Sequence, residues 1–579
     1  MKRVLSLKQS FFTLIPDYLT ATVIGGVVAL LVGLLACAPQ SHAQELPVND
    51  AYNEYLRVLT ISGELSEPGD AFSLFEQEYS MMMHLDSLKQ HPWATIPDPV
   101  LQEDHSTRIG DRETAGFIIV PYDPRFRTYW QSLDPGGQHD GPVWQGRGFT
   151  NDLSAGFFAR YRFLSVSLRP HLIFNQNRPF GLSPYERNPH KSPFAYALGP
   201  IDWPQRFGDQ SFWTADWGQS YLRADYRGWA SGISNEHMRW GPSRQNAILM
   251  DSNAPGFRHF FISTEEPKDI YIGHLKTKLF WGKLWESDYF DENSANDERF
   301  ISGLNLSFNP KPVPGLRLGI NRIFYETIPP EGIPAGDLFK IFEAFTKNSF
   351  TDDTNISGND QSDQLLSLFG QWVFPESGLE IYGEWARTDH SWDWRDFFTE
   401  PEHSRGYTLG LQKTFTLKND RLLSINTEIT QLEASKSGAF RGYAPFYVHS
   451  RSRQGYTNRG QLLGAAIGPG SNSQYLGSSL FFDQGRIKFF VQRVAKNNDF
   501  LYLSDAMIQN EVQNPNNNKY WLHNVEMRLG TSLLFFYKQF ETDIGLTYRR
   551  EINHDYIFEN DQNHLGVKLS IRYRLSSLR

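Results

Sequence analysis

Apolar and polar residues alternate with a period of two through most of this chain. In the stretch 564–575, Leu565, Val567, Leu569, Ile571, Tyr573 and Leu575 share one face, and His564, Gly566, Lys568, Ser570, Arg572 and Arg574 the other. An apolar outside and a charged inside is what a lipid-facing barrel strand requires. A soluble sandwich strand alternates in the same way, so the weight lies in recurrence. Leu153, Ala155, Phe157, Ala159 and Tyr161 oppose Asp152, Ser154, Gly156 and Arg160. After a turn near Phe163, Leu164, Val166, Leu168, Leu172 and Phe174 oppose Ser165, Ser167, Arg169 and His171, which predicts a hairpin.

Compact connections at Asn309–Gly315 and Leu417–Arg421 alternate with long ones at Asn175–Asp209, Ile328–Asp363 and Glu433–Gln474. Short turns on one side and long loops on the other are the habit of outer-membrane barrels. At roughly 24 residues per strand with its share of connection, residues 144–579 predict a transmembrane antiparallel β-barrel of about eighteen strands. The long Glu433–Gln474 loop is a candidate to close the lumen.

Residues 44–143 follow another period. Tyr52–Leu59 and Ala71–Leu88 space apolar residues three and four apart, as amphipathic helices do, before His91-Pro-Trp93 and Pro97–Pro99 break the pattern. A small N-terminal helical unit on the periplasmic side is expected there. Met81–Met83 reads as packing, since no His or Cys ligands accompany it. Ahead of it, Lys2, Arg3 and Lys8, the apolar run Ala21–Cys37 and Ser41-His-Ala43 match an export signal cleaved after Ala43. Lipidation at Cys37 and retention as an anchor helix are the alternatives.

Composition narrows the class. Only 40% of the 579 residues are hydrophobic but 15% are aromatic, and mean hydropathy is −0.47. Beyond the signal no run approaches the ~20 apolar residues of a spanning helix, so membrane embedding falls to strands. Aromatic residues then suit the interfacial girdles of a barrel. The net charge of −9 points away from a nucleic-acid partner. Cys37 is the single cysteine, so its removal excludes disulfides and cysteine chemistry.

Hydrolase, zinc-protease, phosphate-loop and dinucleotide signatures are absent: Gly241-Pro-Ser-Arg-Gln245 lacks the last glycine of a nucleophile elbow. No catalytic residue, cofactor or metal is expected. Three clusters rise above background: His237–His259, with Gly241-Pro242 and Pro255-Gly256 punctuating an Arg-containing stretch; Phe280–Phe290; and Glu380–His390 with Trp392, Trp394 and Glu402–Arg405. Glu380, Tyr382 and Glu384 share the lumen parity, with Ile381 and Trp385 outward. Lumen charges can simply brace a wall, and the tryptophans can simply be girdle residues. Trp and Tyr beside Arg and carboxylates also suit saccharide: the ring packs on sugar C–H groups while polar groups bond hydroxyls or acidic sugars.

At these clusters the chain resembles the Wzi-type capsule assembly family of outer-membrane barrels. The resemblance rests on Val143-Trp-Gln-Gly-Arg-Gly148, Arg206-Phe-Gly208, Arg239-Trp-Gly-Pro242 with Ser252-Asn-Ala-Pro-Gly256, Trp281-Gly282 with Glu286-Ser-Asp-Tyr289, and Tyr382-Gly-Glu-Trp385 with Asp389-His390 and Glu402-His403. It implies a lectin that holds capsular or exopolysaccharide at the outer membrane without turning it over, alongside outer-membrane lipid and polysaccharide export machinery. One departure is Arg239-Trp240-Gly241-Pro242-Ser243, where the family pattern is Trp-Trp-Gly-Pro-Gly. Candidate polysaccharide-binding residues are Arg239, Trp240, Arg244, Asn253, Arg258, Trp281, Trp285, Tyr382, Glu384 and His403. The rival readings are a diffusion channel with an open charged lumen, a barrel hydrolase and a soluble periplasmic β protein.

Overall fold

A computed structural model describes residues 51–64, 93, 117–183, 199–264, 267–330, 332–334, 336–342, 362–388, 394–436, 445–503 and 521–575. The export signal, Ala71–Leu88 and Pro97–Pro99 lie outside them. The first strands are β1 (Phe117–Gln131), β2 (Gly148–Tyr161), β3 (Leu164–Leu168 and, past Pro170, His171–Asn175) and β4 (Phe212–Asp216 and Tyr221–Tyr226). Then come β5 (Trp229–Ser234), β6 (His259–Thr264 with Lys268–Asp269), β7 (Gly273–Trp285), β8 (Glu298–Pro310) and β9 (Leu316–Thr327). The second half holds β10 (Asp363–Phe374), β11 (Leu379–Thr388), β12 (Arg405–Thr416), β13 (Leu422–Gln431) and β14 (Asn472–Phe482). Last are β15 (Gly485–Ala495), β16 (Val525–Tyr537), β17 (Phe540–Ile552) and β18 (Gln562–Tyr573).

Each strand pairs antiparallel with its sequence neighbours, and β1 pairs with both β2 and β18, Gln131 lying opposite Gly148 on one side and Gly566 on the other. The result is a closed barrel of 18 strands. Closure leaves no strand edge unsatisfied, which hydrocarbon demands. The predicted hairpin at Phe163 forms with β2 and β3 in register. The β4–β5 turn places Arg227 and Gly228 both at positive φ, as a two-residue hairpin requires.

Parity sorts the side chains as their chemistry asks. On β18, Leu565 and Val567 are exposed to the outside, while His564 and Ser570 are buried within. Inside the wall charges brace strands: Asp152 accepts from Arg127 at 2.7 Å and from His171 at 2.8 Å. An ionised side chain costs several kcal/mol in hydrocarbon, so partners inside the lumen favour this register over one slipped by a residue.

One expectation is corrected. The barrel begins at Phe117, not at residue 144. Pro121 and Pro124 with Asp123 hide the alternation of β1, and a bulge between Tyr122 and Arg125 absorbs them. The small N-terminal helix expected on the periplasmic side packs into the barrel itself. Helix α1 (Ala51–Ser62) buries Tyr55, Leu56, Val58, Leu59 and Ile61 in the short-turn end of the lumen, with Tyr55 stacked on Trp93 and packed on Phe481 of β14.

Candidate functional site

The lumen is occupied by chain that returns from the long-loop side. β5 and β6 are only six-residue runs where they face each other, because after Ser234 the chain turns inward and comes back to the wall at His259. Gly256 makes the return possible: a Cβ there would meet the Asn235 carbonyl oxygen at 1.7 Å. Between them Trp240, Ile248, Leu249, Met250 and Phe257 form one core with Phe446, Tyr447, Tyr456 and Leu463 from the β13–β14 loop, and with Phe280, Ile323 and Tyr325 of the wall. Tyr447 donates its hydroxyl to the Ile248 carbonyl at 2.8 Å and accepts from the Ala465 N–H at 3.0 Å. Burying so many aromatic and aliphatic side chains makes these loops a second hydrophobic core inside a polar cylinder.

Carboxylates on the wall hold the tip of the inward loop. Glu428 of β13 accepts the backbone N–H groups of Arg244 (2.6 Å), Gln245 (3.1 Å) and Asn246 (2.9 Å). The same carboxylate accepts the Tyr382 hydroxyl at 2.8 Å. Glu384 accepts from the Ile248 N–H at 3.3 Å and the Ser243 hydroxyl at 3.5 Å. Asp251, within the loop, is met by His139 at 3.3 Å and Arg239 at 3.4 Å, and although burial would raise its carboxyl these two neighbours hold it below the usual range.

Below this tip stands α1. Arg57 reaches both Glu380, at 3.0 Å, and the Pro242 carbonyl, at 2.9 Å, so one guanidinium ties helix, wall and loop together. Glu54 bonds Ser479 at 2.8 Å and pairs with Arg486. Burial would raise the Glu54 carboxyl, but Lys488, Arg486 and Arg244 outweigh it and bring it down to about 2.

The predicted site residues therefore divide. Trp240 is buried within the plug, Tyr382 and Glu384 are buried on the wall against it, Arg239 pairs with Asp251, and the backbone of Arg244 is held by Glu428, so these five shape the interior and do not face solvent as a group. Asn253 accepts from the His139 N–H at 2.8 Å and donates to the Gly464 carbonyl at 2.9 Å, fastening one loop to another. Trp281 points outward and donates to the Leu338 carbonyl at 2.8 Å. His403 lies in the β11–β12 connection, its N–H on the Glu400 carbonyl at 3.1 Å.

Trp285 and Arg258 remain, and they come together at the rim. Trp285 ends β7 on the long-loop side; the Arg258 guanidinium lies 5.8 Å from its ring centroid and that of Arg459 at 5.6 Å. Arg258 is exposed, and Arg459, 39% exposed, has Asp216 at 3.4 Å. The short hairpin Thr457–Asn458 with Gln461–Leu462 fixes the group: Asn458 accepts the Trp285 N–H at 3.0 Å, and the Trp285 carbonyl accepts the Arg459 N–H at 2.8 Å. Beside it burial pushes the Glu286 carboxyl up to about 8, against a bond from Gln454 and with Asp291 and Asp202 adding to the rise. Arg459 and Glu428 were not singled out from sequence; the Glu433–Gln474 loop was read only as a candidate to close the lumen.

Among the described residues, Asp134, Glu551 and His564 bring potential ligand atoms within 4.8 Å of one another. Arg549 already meets Asp134 at 2.8 Å and Lys496 meets Glu551 at 2.9 Å, which is the chemistry of an ion-pair network.

The sequence profile of the capsule assembly protein Wzi matches residues 138–555. The chain belongs to the Wzi capsule assembly family. Among solved structures it is similar to Wzi of Escherichia coli, an outer-membrane protein involved in group 1 capsule assembly and described as a carbohydrate-binding β-barrel. That match has a TM-score of 0.57 at 14% identity over 92% of this chain and 100% of that one. OprD of Pseudomonas aeruginosa matches at a TM-score of 0.36 and 9% identity, over 78% of this chain and 92% of that one. No curated protein matches the chain. As a closed barrel of this family, the protein resides in the outer membrane, its short turns toward the periplasm and its long loops outside.

Proposed function

We propose that this family member is a non-enzymatic surface lectin that captures capsular or exopolysaccharide and helps anchor and assemble it outside the cell. One observation carries the reading: the inward loops fill the lumen with a hydrophobic core fastened to wall carboxylates, so the chemistry left to the outside is that of the rim. There the Trp285 ring, packed on the plug core, carries the guanidinium groups of Arg258 and Arg459, which offer forks for hydroxyl or acidic sugar groups. The description of Escherichia coli Wzi as carbohydrate-binding supports the same ligand class. Each such contact is worth only about 1 kcal/mol. Repetition along a polymer, with many copies in one membrane, turns weak contacts into retention. Outer-membrane lipid and the export machinery complete the expected partners.

The test is polysaccharide capture by the purified chain in detergent, with Trp285→Ala, Arg258→Ala and Arg459→Ala beside the unsubstituted protein. Each change is expected to weaken capture several-fold while heat-modifiable gel mobility stays that of a folded barrel. Planar-bilayer recordings are expected to lack steady large openings; a stable open channel would favour the diffusion reading instead. Unchanged capture by all three variants would remove the rim from the proposal.

A further inference from the structure

The outward face of the wall is not uniformly apolar. On β12, running up from Thr416 at the short-turn end, the outward positions are Phe415, Lys413 with its ammonium over the Phe415 ring, and then the exposed Leu411 and Leu409. On β17 the series is Phe540, Ile544, Leu546 and Tyr548. Eight residues of tilted strand cover about 19 Å of height, most of an apolar band of about 25 Å. On β9 the exposed apolar face consists of Leu318 and Ile320 alone, and the next outward positions are Arg322, Phe324 and Glu326. Its neighbours continue the interruption with Gln364 on β10 and Arg387 on β11.

These outward polar groups are nevertheless buried, because two connections from the long-loop side fold back over the outside of the wall. The 3₁₀ turn Asp337–Phe342 lies against β8 and β9. Its Ile341 carbonyl accepts from Arg322 at 3.1 Å, and Lys340 pairs with Glu326 at 2.9 Å. Its Leu338 carbonyl accepts the indole N–H of Trp281, on β7, at 2.8 Å. Arg322 also bonds Gln364 at 2.7 Å. Farther round, helix α2 (Trp394–Thr399) sets Phe397 edge-on to Trp385, with ring centroids 6.0 Å apart, and Arg387 5.7 Å from the Phe397 ring. The covering pieces then turn Leu338, Phe339, Phe342 and Phe398 away from the wall, the last 73% exposed.

We infer that the Asp337–Phe342 turn and α2 form an external collar whose Leu338, Phe339, Phe342 and Phe398 are embedded among the acyl chains of the outer leaflet, replacing the lipid-facing surface that β9 to β11 lack. Two features favour acyl chains as the occupant. The collar is continuous with the lipid-facing residues just below it, Ile320 and its cross-strand partner Leu368. It also begins where β9 has reached about half the height at which β12 and β17 still present apolar side chains, so that face would otherwise put Arg322, Glu326 and Gln364 into hydrocarbon, where charge is heavily disfavoured. Carbohydrate capture at the rim is a separate matter, and the collar stands whether or not that reading does.

The test is site-directed spin labelling of the full chain in vesicles of lipopolysaccharide and phospholipid, in a Cys37→Ser background. Labels go at Phe339→Cys, Phe342→Cys and Phe398→Cys, with Leu411→Cys as the lipid-facing reference and Ser294→Cys, in the β7–β8 connection, as the aqueous one. The collar labels are expected to match Leu411→Cys, with access to oxygen several-fold above access to a water-soluble nickel chelate relative to Ser294→Cys. Labels that behave as Ser294→Cys overturn the inference, as does dipolar broadening that dilution with unlabelled protein removes, which would make a second copy the occupant. Unchanged heat-modifiable mobility confirms folding, and the Phe342→Cys and Phe398→Cys labels decide the matter should Phe339→Cys misfold.

Discussion

Replacing Glu428 by alanine should unseat the plug without dismantling the barrel. The carboxylate accepts three consecutive backbone N–H groups, Arg244 to Asn246, and the Tyr382 hydroxyl, all inside the lumen. Alanine leaves those four donors without their acceptor. Each buried donor so orphaned costs about 1–3 kcal/mol. Part of that total returns because a buried carboxylate no longer has to be desolvated, leaving a net loss of about 3–5 kcal/mol. The Tyr447 hydroxyl and the surrounding core still hold the rest of the loop, so the loss falls on the tip, residues 241–248. A change of 3 kcal/mol multiplies the undocked fraction by roughly a hundred or more. The assay is planar-bilayer recording: brief, flickering openings should appear for Glu428→Ala and be rarer for Glu428→Gln, which keeps one acceptor oxygen. A silent Glu428→Ala channel with unchanged protease resistance of residues 241–248 would refute the reasoning that the wall carboxylate latches the loop.

Three other outcomes follow from the same contacts. Trp240 is fully buried at the centre of the plug, so Trp240→Ala should cost about 3–5 kcal/mol in a denaturant titration followed by gel mobility, while Trp240→Phe should cost clearly less. Gly256→Ala would drive a Cβ to 1.7 Å from the Asn235 oxygen, so the inward loop should lose its docking and become protease-sensitive within a barrel that remains heat-modifiable. Because Glu286 has a folded-state value raised from 4.5 to about 8, its neutral form favours the folded β7–β8 connection below pH 4.5, and that contribution disappears as pH climbs through about 8. Hydrogen exchange of residues 286–297, corrected for intrinsic rate, should therefore rise across that window and flatten in Glu286→Gln; an unchanged slope would deny the carboxyl its role.

Strand parity was readable because it is local. Leu153 against Asp152, and Leu172 against His171, declare opposite solvents two residues at a time, and the structure places them so. The long connection expected between Ile328 and Asp363 begins and ends within a residue of β9 and β10. β1 escaped notice because prolines and an aspartate at its bulge break the period on which the reading depends. The candidate site was legible only in part. Glu380, Tyr382 and Glu384 lie on the lumen side as their parity required, while Trp240 packs in the plug core and Arg239 pairs with Asp251. Arg459 joined the rim unannounced.

By itself the sequence determined a cylinder: an inside and an outside, short turns and long loops, and a number of strands, all consequences of a two-residue period and of what oil and water tolerate. Tertiary structure decided what fills the cylinder and what wraps it. Arg244 meets Glu428 across 184 positions of chain, and Trp281 meets Leu338 across 57. Such pairings follow from where long loops come to rest, which depends on the summed burial of side chains from separate strands and is written into no local pattern.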